Sequence, residues 1–311
     1  MSDVPDDVHR LAAERDERRA ARDFAAADEI RARIEVLGFR VVDAPGGSTV
    51  EPAPATTPAA ERLRPADVGS VLELAPRYDA TVQWIVEGWP EDVRRGIEAF
   101  RAHAGGRDVQ HVVVDVTGGP TDAYGADAEV VPLVKGTGWG AARNAGLRRS
   151  LGRVVLVVDG SIEPMGDVLG RIERAFDDPT VGVCGPFGIV TRDLREFTPS
   201  DGPDVDAIEA YLMAFPRDVL TDLGGFDEGF RWYRTADIEL SFRVKDRGLR
   251  AVVVPVPVER HEHRMWAAAT DDERARWSKG NFNRFLDRFR GRSDLTEAGR
   301  VMPRDERGPT G

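Results

Sequence analysis

Residues 136–161, GTGWGAARNAGLRRSLGRVVLVVDGS, put a glycine-rich turn before a helical pattern and an apolar strand before Asp159. A helix start offers free backbone N–H groups and the positive end of the helix dipole, both of which attract phosphate. In an open α/β sheet, ligands collect at the carboxyl ends of the strands. Asp159 beside Gly136, Gly138 and Gly140 therefore points to a nucleoside-diphosphate site. One turn into the helix, Arg143 carries a planar guanidinium that can grip a diphosphate with two N–H groups. Farther along, Thr235 suits an N-cap and places Asp237 in the first turn of a helix, where the dipole favours an ionised carboxylate. His261 and His263 flank Glu262 in RHEHR. Alternate residues of a strand share a face, so both imidazoles can point into one cleft.

These residues need a sheet to position them. TVQWIVEG, QHVVVDV, AEVVPLV and RVVLVVDG are apolar strand candidates, and PEDVRRGIEAFRAHA, GAARNAGLRRS and PMGDVLGRIERAF have helical spacing. Their alternation predicts parallel strands with crossover helices, an α/β doubly wound sheet. Cys184, the single cysteine, allows no intrachain disulfide and reads as a small apolar residue on a strand.

With 311 residues, 41% hydrophobic and 31% charged, the chain can bury one large domain and something small. No apolar run reaches membrane-spanning length and the acidic amino terminus lacks a signal-peptide pattern, so a soluble, cytoplasmic protein is expected. A formal charge of -11 disfavours broad binding to nucleic acid or anionic lipid. Residues 1–52 read as a helical hairpin, with Leu11, Phe24, Ile30, Ile34 and Leu37 at helical spacing and Gly38 as a stop, followed by a β-hairpin around Pro-Gly-Gly. Pro, Ala and Thr enrichment marks 53–74 as a linker, 75–290 as the main domain and 291–311 as a loose tail.

Two resemblances add to this reading. ERDERRAARDFAAADEIRARIEVLGFRVVDAPGGST resembles the carboxyl-terminal tail of cysteinyl-tRNA synthetase, with an Arg-rich helix, an Asp-Phe-Ala-x-Ala-Asp-x-Ile-Arg helix and a hairpin in that order. No synthetase active-site motif accompanies it. The segment reads either as a borrowed packing or protein-contact module or as a tRNA-contacting one, which Arg15, Arg18, Arg19 and Arg22 permit and their interleaved acids oppose.

The main domain resembles the family 2 glycosyltransferases of GT-A fold, a Rossmann-like nucleotide-diphospho-sugar transferase architecture. The likeness rests on VVVDVTGGPTD, on Ala-Arg-Asn-x-Gly at 142–146, on the strand ending at Asp159, and on GGFDE at 224–228 with the helix and His-bearing strand that follow. It implies that Asp115 accepts a hydrogen bond from the nucleotide base, and that Arg143, Asn144, Asp159 and Ser161 bind the donor. It also implies that Gly225, Asp227 and Glu228 form the acceptor-side loop and that Asp237 is the catalytic base, with Ala236 replacing the family's Glu. Where the family has Pro-x-Tyr-Asn after the first strand, this chain has Ile85, Val86, Glu87, Gly88 and Trp89, and Trp89 either stacks on the base or fills core. Where the family has Asp-x-Asp, this chain has Asp159, Gly160 and Ser161. A hydroxyl alone is a poor ligand for Mg2+ or Mn2+. Either Glu163, Asp167, a histidine and water complete a weaker site, or arginines replace the cation, or the site is degenerate. The metal set implied is Asp159, His261 and His263.

The expected activity is transfer of a sugar from a nucleoside-diphosphate sugar to an acceptor hydroxyl, with inversion. A non-catalytic nucleotide-sugar-binding protein, suggested by Ser161 and Ala236, and a tRNA or synthetase-associated adaptor, suggested by the amino-terminal segment, are the alternatives.

Overall fold

The computed structural model describes residues 4–52 apart from 22, 24, 25, 28, 29, 32, 35, 36, 38, 45 and 46, together with 61–119, 124, 125 and 127–301. The chain forms two compact units, Met1–Ala60 and Glu61–Gly311. In the first, the helix Asp6–Ala20 ends with Arg18 and Arg19 at its negative pole. Strands β1 (Phe39–Ala44) and β2 (Gly47–Pro52) form an antiparallel hairpin with Ala44 opposite Gly47. Val8, Ala12, Ile30 and Ile34 make its small core against Phe39, Val41 and Val50. Ile30 and Ile34 lie on a second helical stretch. Phe24 and Gly38, expected inside and at the end of that stretch, fall outside the described residues, as does Arg22. Leu37 is exposed, and Arg15 is buried with its guanidinium on Ser48 and Asp16.

The second unit is built on an eight-stranded sheet. Strands β3 (Tyr78–Val86), β4 (Val109–Asp115), β5 (Ala128–Pro132) and β6 (Gly152–Val158) are parallel, in the order β5-β4-β3-β6. Their near-continuous apolar runs fit strands covered on both faces. Helices Trp139–Arg148 and Ala236–Asp246 contribute Ala142, Leu147, Leu240 and Val244 to the core on one face. Helices Pro90–Ala102 and Leu169–Ala175 contribute Ile97, Phe100, Leu169 and Ile172 to the core on the other. Each fully buried Ile, Leu or Phe stabilises the sandwich by roughly 1.5–3 kcal/mol.

Beyond β6 the sheet departs from the expected parallel pattern. A short strand β7 (Ile162–Pro164) leaves the sheet, followed by β8 (Val181–Gly185) in it. Then β9 (Gly188–Thr191), β10 (Phe197–Ser200), β11 (Asp204–Val205) and β12 (Ala207–Ile208) lead to β13 (Leu212–Pro216). Strand β13 runs antiparallel to both β6 and β8. No crossover helix precedes β13, so the alternation of strand and helix gave it no signal. After the 236–246 helix, β14 (Arg250–Val253) pairs parallel to β8, and β15 (Val258–Arg260) pairs antiparallel to β7. Cys184 is buried on β8, and burial raises its thiol pKa.

Both expected boundaries of this unit move outward. Arg62 donates to the carbonyls of Asp115, Gly119 and Leu133, and Arg217 holds the carbonyls of Val71, Leu72 and Leu74. Residues 61–74, expected as linker, are thus bonded into the unit. At the other end, Leu295 is buried with Phe242, Phe285 and Phe289, and Glu297 pairs with the buried Lys245. Residues 293–301, expected as loose tail, are therefore folded. The long helix Asp271–Phe289, started by a Thr270–Glu273 capping box, carries Phe285 and Phe289, and Phe242 comes from the 236–246 helix. Among the described residues, no helix is long and apolar enough to cross a membrane.

Candidate functional site

The carboxyl end of β6 and the start of the 236–246 helix face a cavity of about 380 Å³. Arg143, Asp159, Glu209, Tyr233, Asp237 and His263 are among its lining residues. Four residues singled out from the sequence, Arg143, Asp159, Asp237 and His263, therefore meet in one place, although 120 positions separate the first from the last.

The glycine-rich helix start holds something other than the expected phosphate. Its first N–H groups are already bonded, Trp139 to the Arg231 carbonyl at 3.1 Å and Gly140 to the Phe230 carbonyl at 2.9 Å. A Cβ on Gly140 would lie 2.5 Å from the Asp227 carbonyl oxygen, and one on Gly138 would lie 3.1 Å from the Arg231 backbone. The glycines admit the 224–231 loop, and that loop occupies the helix dipole's positive end. Arg143 also differs from expectation. It is buried, with Nη1 on the Gln83 carbonyl at 2.9 Å and Nη2 on the Val158 carbonyl at 3.1 Å. Its fork ties the ends of β3 and β6 together, which leaves no bidentate grip for a diphosphate in this conformation. Burial draws its pKa down to about 10, so it keeps its charge at neutral pH.

Asp159 and His263 form the polar centre. Oδ2 of Asp159 lies 3.2 Å from Nε2 of His263, and Oδ1 accepts the backbone N–H and the hydroxyl of Ser161. In the neutral imidazole, Nδ1 of His263 accepts the N–H of Trp266 at 3.1 Å and Nε2 carries the proton toward Asp159; the imidazolium gives up the Trp266 bond and keeps the one to Asp159. Tyr233 packs on the imidazole at 4.8 Å between centroids, and Tyr211 meets it edge-on at 6.0 Å. Burial pushes the Asp159 carboxyl up, but the hydrogen bond and charge of His263 and the two donors of Ser161 outweigh it and hold it below the usual value. Burial likewise pulls His263 down, and the Asp159 hydrogen bond and charge with Glu87 more than reverse this.

The histidines separate. Strand β15 ends at Arg260, so the alternation does not extend to residue 263. His261 instead bonds Glu163 at 2.8 Å, and Glu163 also pairs with Arg95 at 3.2 Å. Asp167 pairs with Arg107 and caps Gly170. Neither Glu163 nor Asp167 turns toward Asp159, and Ser161 acts as a donor to it. Among the described residues, no group of three or more His, Cys, Asp or Glu converges as a metal site. An acid and an imidazole 3.2 Å apart on a cavity wall are nonetheless the donor types that one Mn2+ takes as neighbouring ligands.

Other expected contacts are structural. Asp115 is fully buried, with Oδ1 taking the N–H and hydroxyl of Thr117 and Oδ2 lying 3.5 Å from Arg62. Its Oδ2 accepts no hydrogen bond among the described residues; the last acid of VVVDVTGGPTD lies outside the described residues. Asn144 braces the 224–228 loop, donating to the Phe226 carbonyl and Glu228 and accepting the Phe226 N–H. Gly225 has φ 71° and approaches Asn144 so closely that a Cβ would lie 2.3 Å from its Oδ1. Asp227 is doubly bonded to Arg284. This loop therefore locks two helices together and lies outside the cavity lining.

Asp237 sits in the first helical turn as expected, but Thr235 is left-handed with φ 71° and its side chain caps nothing. Burial lifts the Asp237 carboxyl above its usual range against the N–H groups of Ala210 and Ile238, which overrides the expected dipole effect. Two acids had no role in the sequence reading. Glu209 lines the cavity, and burial and Asp237 push it up to about 7. Glu87, half-buried where β3 ends, is pushed up to about 7 by burial and Asp159. It shares a smaller neighbouring cavity with Trp89, Asp159 and His263. Glu87 was detectable as a strand-end acid; Glu209, in the short connection between β12 and β13, carried no pattern.

Comparison with known proteins places these features. Residues 114–239 match the family model described as glycosyl transferase family 2. The chain is similar in structure to GalNAc-T7 with UDP, GalNAc and Mn2+, at 15% identity over 68% of this chain and 48% of that one, TM-score 0.53. It is also similar to mannosyltransferase PcManGT from Pyrobaculum calidifontis in complex with GDP-Man and Mn2+, at 19% identity, 75% and 72% coverage, TM-score 0.51. A 41-residue stretch is 58% identical to the cysteine–tRNA ligase of Bdellovibrio bacteriovorus, 13% of this chain and 8% of that protein. The chain thus spans about half of the GalNAc-T7 chain and a small fraction of the ligase.

Proposed function

From a second unit of GT-A fold whose residues 114–239 are of glycosyl transferase family 2, we propose that this protein transfers a sugar from a nucleoside-diphosphate donor to an acceptor hydroxyl, with inversion at the anomeric carbon. The observation that carries the reading is the convergence of Asp159, His263 and Asp237 on one cavity at the sheet's carboxyl edge. The neighbours with UDP or GDP-Man and Mn2+ support a diphosphate-bound divalent cation, which Asp159 and His263 would hold. When bound, such a cation neutralises charge developing on the leaving diphosphate.

This chain's own residues do the rest. Tyr233 stacks on the imidazole with Nε2 facing Asp159, and a cation on Nε2 would shift the proton to Nδ1 at the expense of the Trp266 N–H bond. Ser161, in place of a second acid, holds the Asp159 carboxylate in one orientation through two donors. Arg143 sets the strand ends and adds positive charge behind the site. Across the cavity, the acids Asp237 and Glu209 stand where an acceptor hydroxyl can give up its proton. Nucleoside-diphosphate release from a panel of UDP- and GDP-sugars, with candidate acceptors and with water, tests the function. Turnover of at least one donor is expected. Donor binding without any turnover would favour a nucleotide-sugar-binding protein instead.

A further inference from the structure

We propose that the acceptor carries an oxyanion group, a carboxylate or a phosphate, gripped by Arg234 and Arg195 at the rim of the cavity, an assignment that rests on the glycosyl-transfer reading above. Both arginines line the cavity and are exposed. Neither guanidinium forms a hydrogen bond or ion pair with any described residue. Arg234 and Arg274 both stack on Trp266, each 4.8 Å from the ring centre. Arg274 commits its N–H groups to the Trp266 carbonyl and to Asp271, and Arg234 keeps its own free. Stacking steadies the flat face of a guanidinium and leaves its in-plane donors available. A steadied fork with free donors matches a carboxylate or phosphate through two parallel bonds. The backbone beneath is fixed as well. Buried Asn281 donates to the Arg234 carbonyl at 2.6 Å and to the Trp232 carbonyl at 2.8 Å. Arg195 stands on the turn between β9 and β10, where Asp193 accepts its N–H at 2.8 Å and that of Glu196 at 3.0 Å. Leu194, just before it, is buried and anchors the turn.

Arg234 belongs to the acceptor side of the cavity. Its charge acts on Asp237 and Glu209, and the charge that acts on Asp159 is that of His263. Arg260, stacked on Tyr211 at 4.9 Å, adds a further positive charge near Glu209 and forms no ion pair among the described residues. Burial and Asp237 push Glu209 up to about 7, so near neutral pH it carries only part of a negative charge and leaves the arginines largely uncompensated. An oxyanion held by Arg234 and Arg195 would complete that balance. It would also hold the acceptor by a group remote from the reacting hydroxyl, with the hydroxyl on the side where Asp237 stands.

The test is calorimetric titration of glycerol 3-phosphate, glycerate and glycerol into the full chain saturated with Mn2+ and with UDP or GDP, whichever binds. Saturating nucleotide keeps the anions out of the diphosphate site. Wild type, Arg234→Gln and Arg195→Gln are compared. One of the two anions is expected to bind wild type at least about tenfold more tightly than glycerol, and the tighter one names the acceptor group as phosphate or carboxylate. Arg234→Gln should weaken that anion by about tenfold and Arg195→Gln by about threefold or more, with nucleoside-diphosphate affinity changed by no more than about twofold. Both side chains are exposed and hold no hydrogen bond, so the variants keep the fold, and matching thermal melts check this. Anions that bind no better than glycerol, or that bind both variants as they bind wild type, overturn the assignment while leaving glycosyl transfer standing. A variant that instead loses about tenfold in nucleoside-diphosphate affinity also overturns it, by giving the arginines to the donor. A wild type that binds no nucleotide and turns over no nucleotide sugar overturns both readings.

Discussion

The Asp159–His263 pair is a residue-scale device whose stability contribution depends on pH in a way that can be worked out. His263 is raised in the folded state, so its contribution is complete below the ordinary histidine value of 6.5 and is lost as pH rises through the raised value. Asp159 is lowered, so its contribution is complete above 3.8 and is lost as pH falls through the lowered value. The pair is therefore fullest between 3.8 and 6.5. His263→Gln should cost about 1–3 kcal/mol in that window, with the deficit shrinking on either side. Urea denaturation of both proteins in chelator over roughly pH 3 to 9 measures it. A deficit that stays constant with pH would remove the charged hydrogen bond from the account. The neighbouring acids show why local sequence says only so much at this scale. Asp159 and Asp237 were legible because each sits at a strand end or helix start. Glu209 was not, because its place on the cavity wall follows from how the connection between β12 and β13 folds in three dimensions.

At the scale of elements, the strands β3 to β6 and the helices between them are written in local periodicity, and the structure keeps them within a few residues. What periodicity cannot carry is which chain segment fills the start of the 139–148 helix. GxGxG at 136–140 suits a phosphate and a close-packed loop equally well, and only the approach of Phe230 and Arg231, some ninety positions away, decides it. Likewise the GGFDE loop matches the family by sequence, while its acids are taken by Asn144 and Arg284. Gly140→Ala separates the two uses of the helix start. A methyl 2.5 Å from the Asp227 carbonyl should destabilise the unit by about 1–3 kcal/mol in thermal melts. Donor affinity of the folded fraction should stay within about twofold. The reverse pattern, full stability with weakened donor binding, would return the glycines to a diphosphate-binding role.

For the whole molecule, every cavity residue named belongs to Glu61–Gly311, and Arg62 is bonded to three backbone carbonyls of that unit. A chain starting at Glu61 should keep a cooperative melt and wild-type donor affinity by calorimetry. Loss of binding from a folded truncation would give residues 1–60 a part in the site, and tRNA binding by the full chain alone would give them the adaptor role. With a formal charge of -11, the overall field would repel the proposed anionic donor, so local chemistry would have to hold it. The proposed function stands on a cation held between Asp159, His263 and a nucleoside-diphosphate sugar. Its most direct test is calorimetric titration of UDP- and GDP-sugars into wild type and His263→Gln, each with Mn2+ and with chelator. Mn2+ is expected to tighten binding of the preferred donor to wild type by about tenfold or more and to leave the variant nearly unchanged. Wild-type affinity that is the same in Mn2+ and in chelator would contradict it.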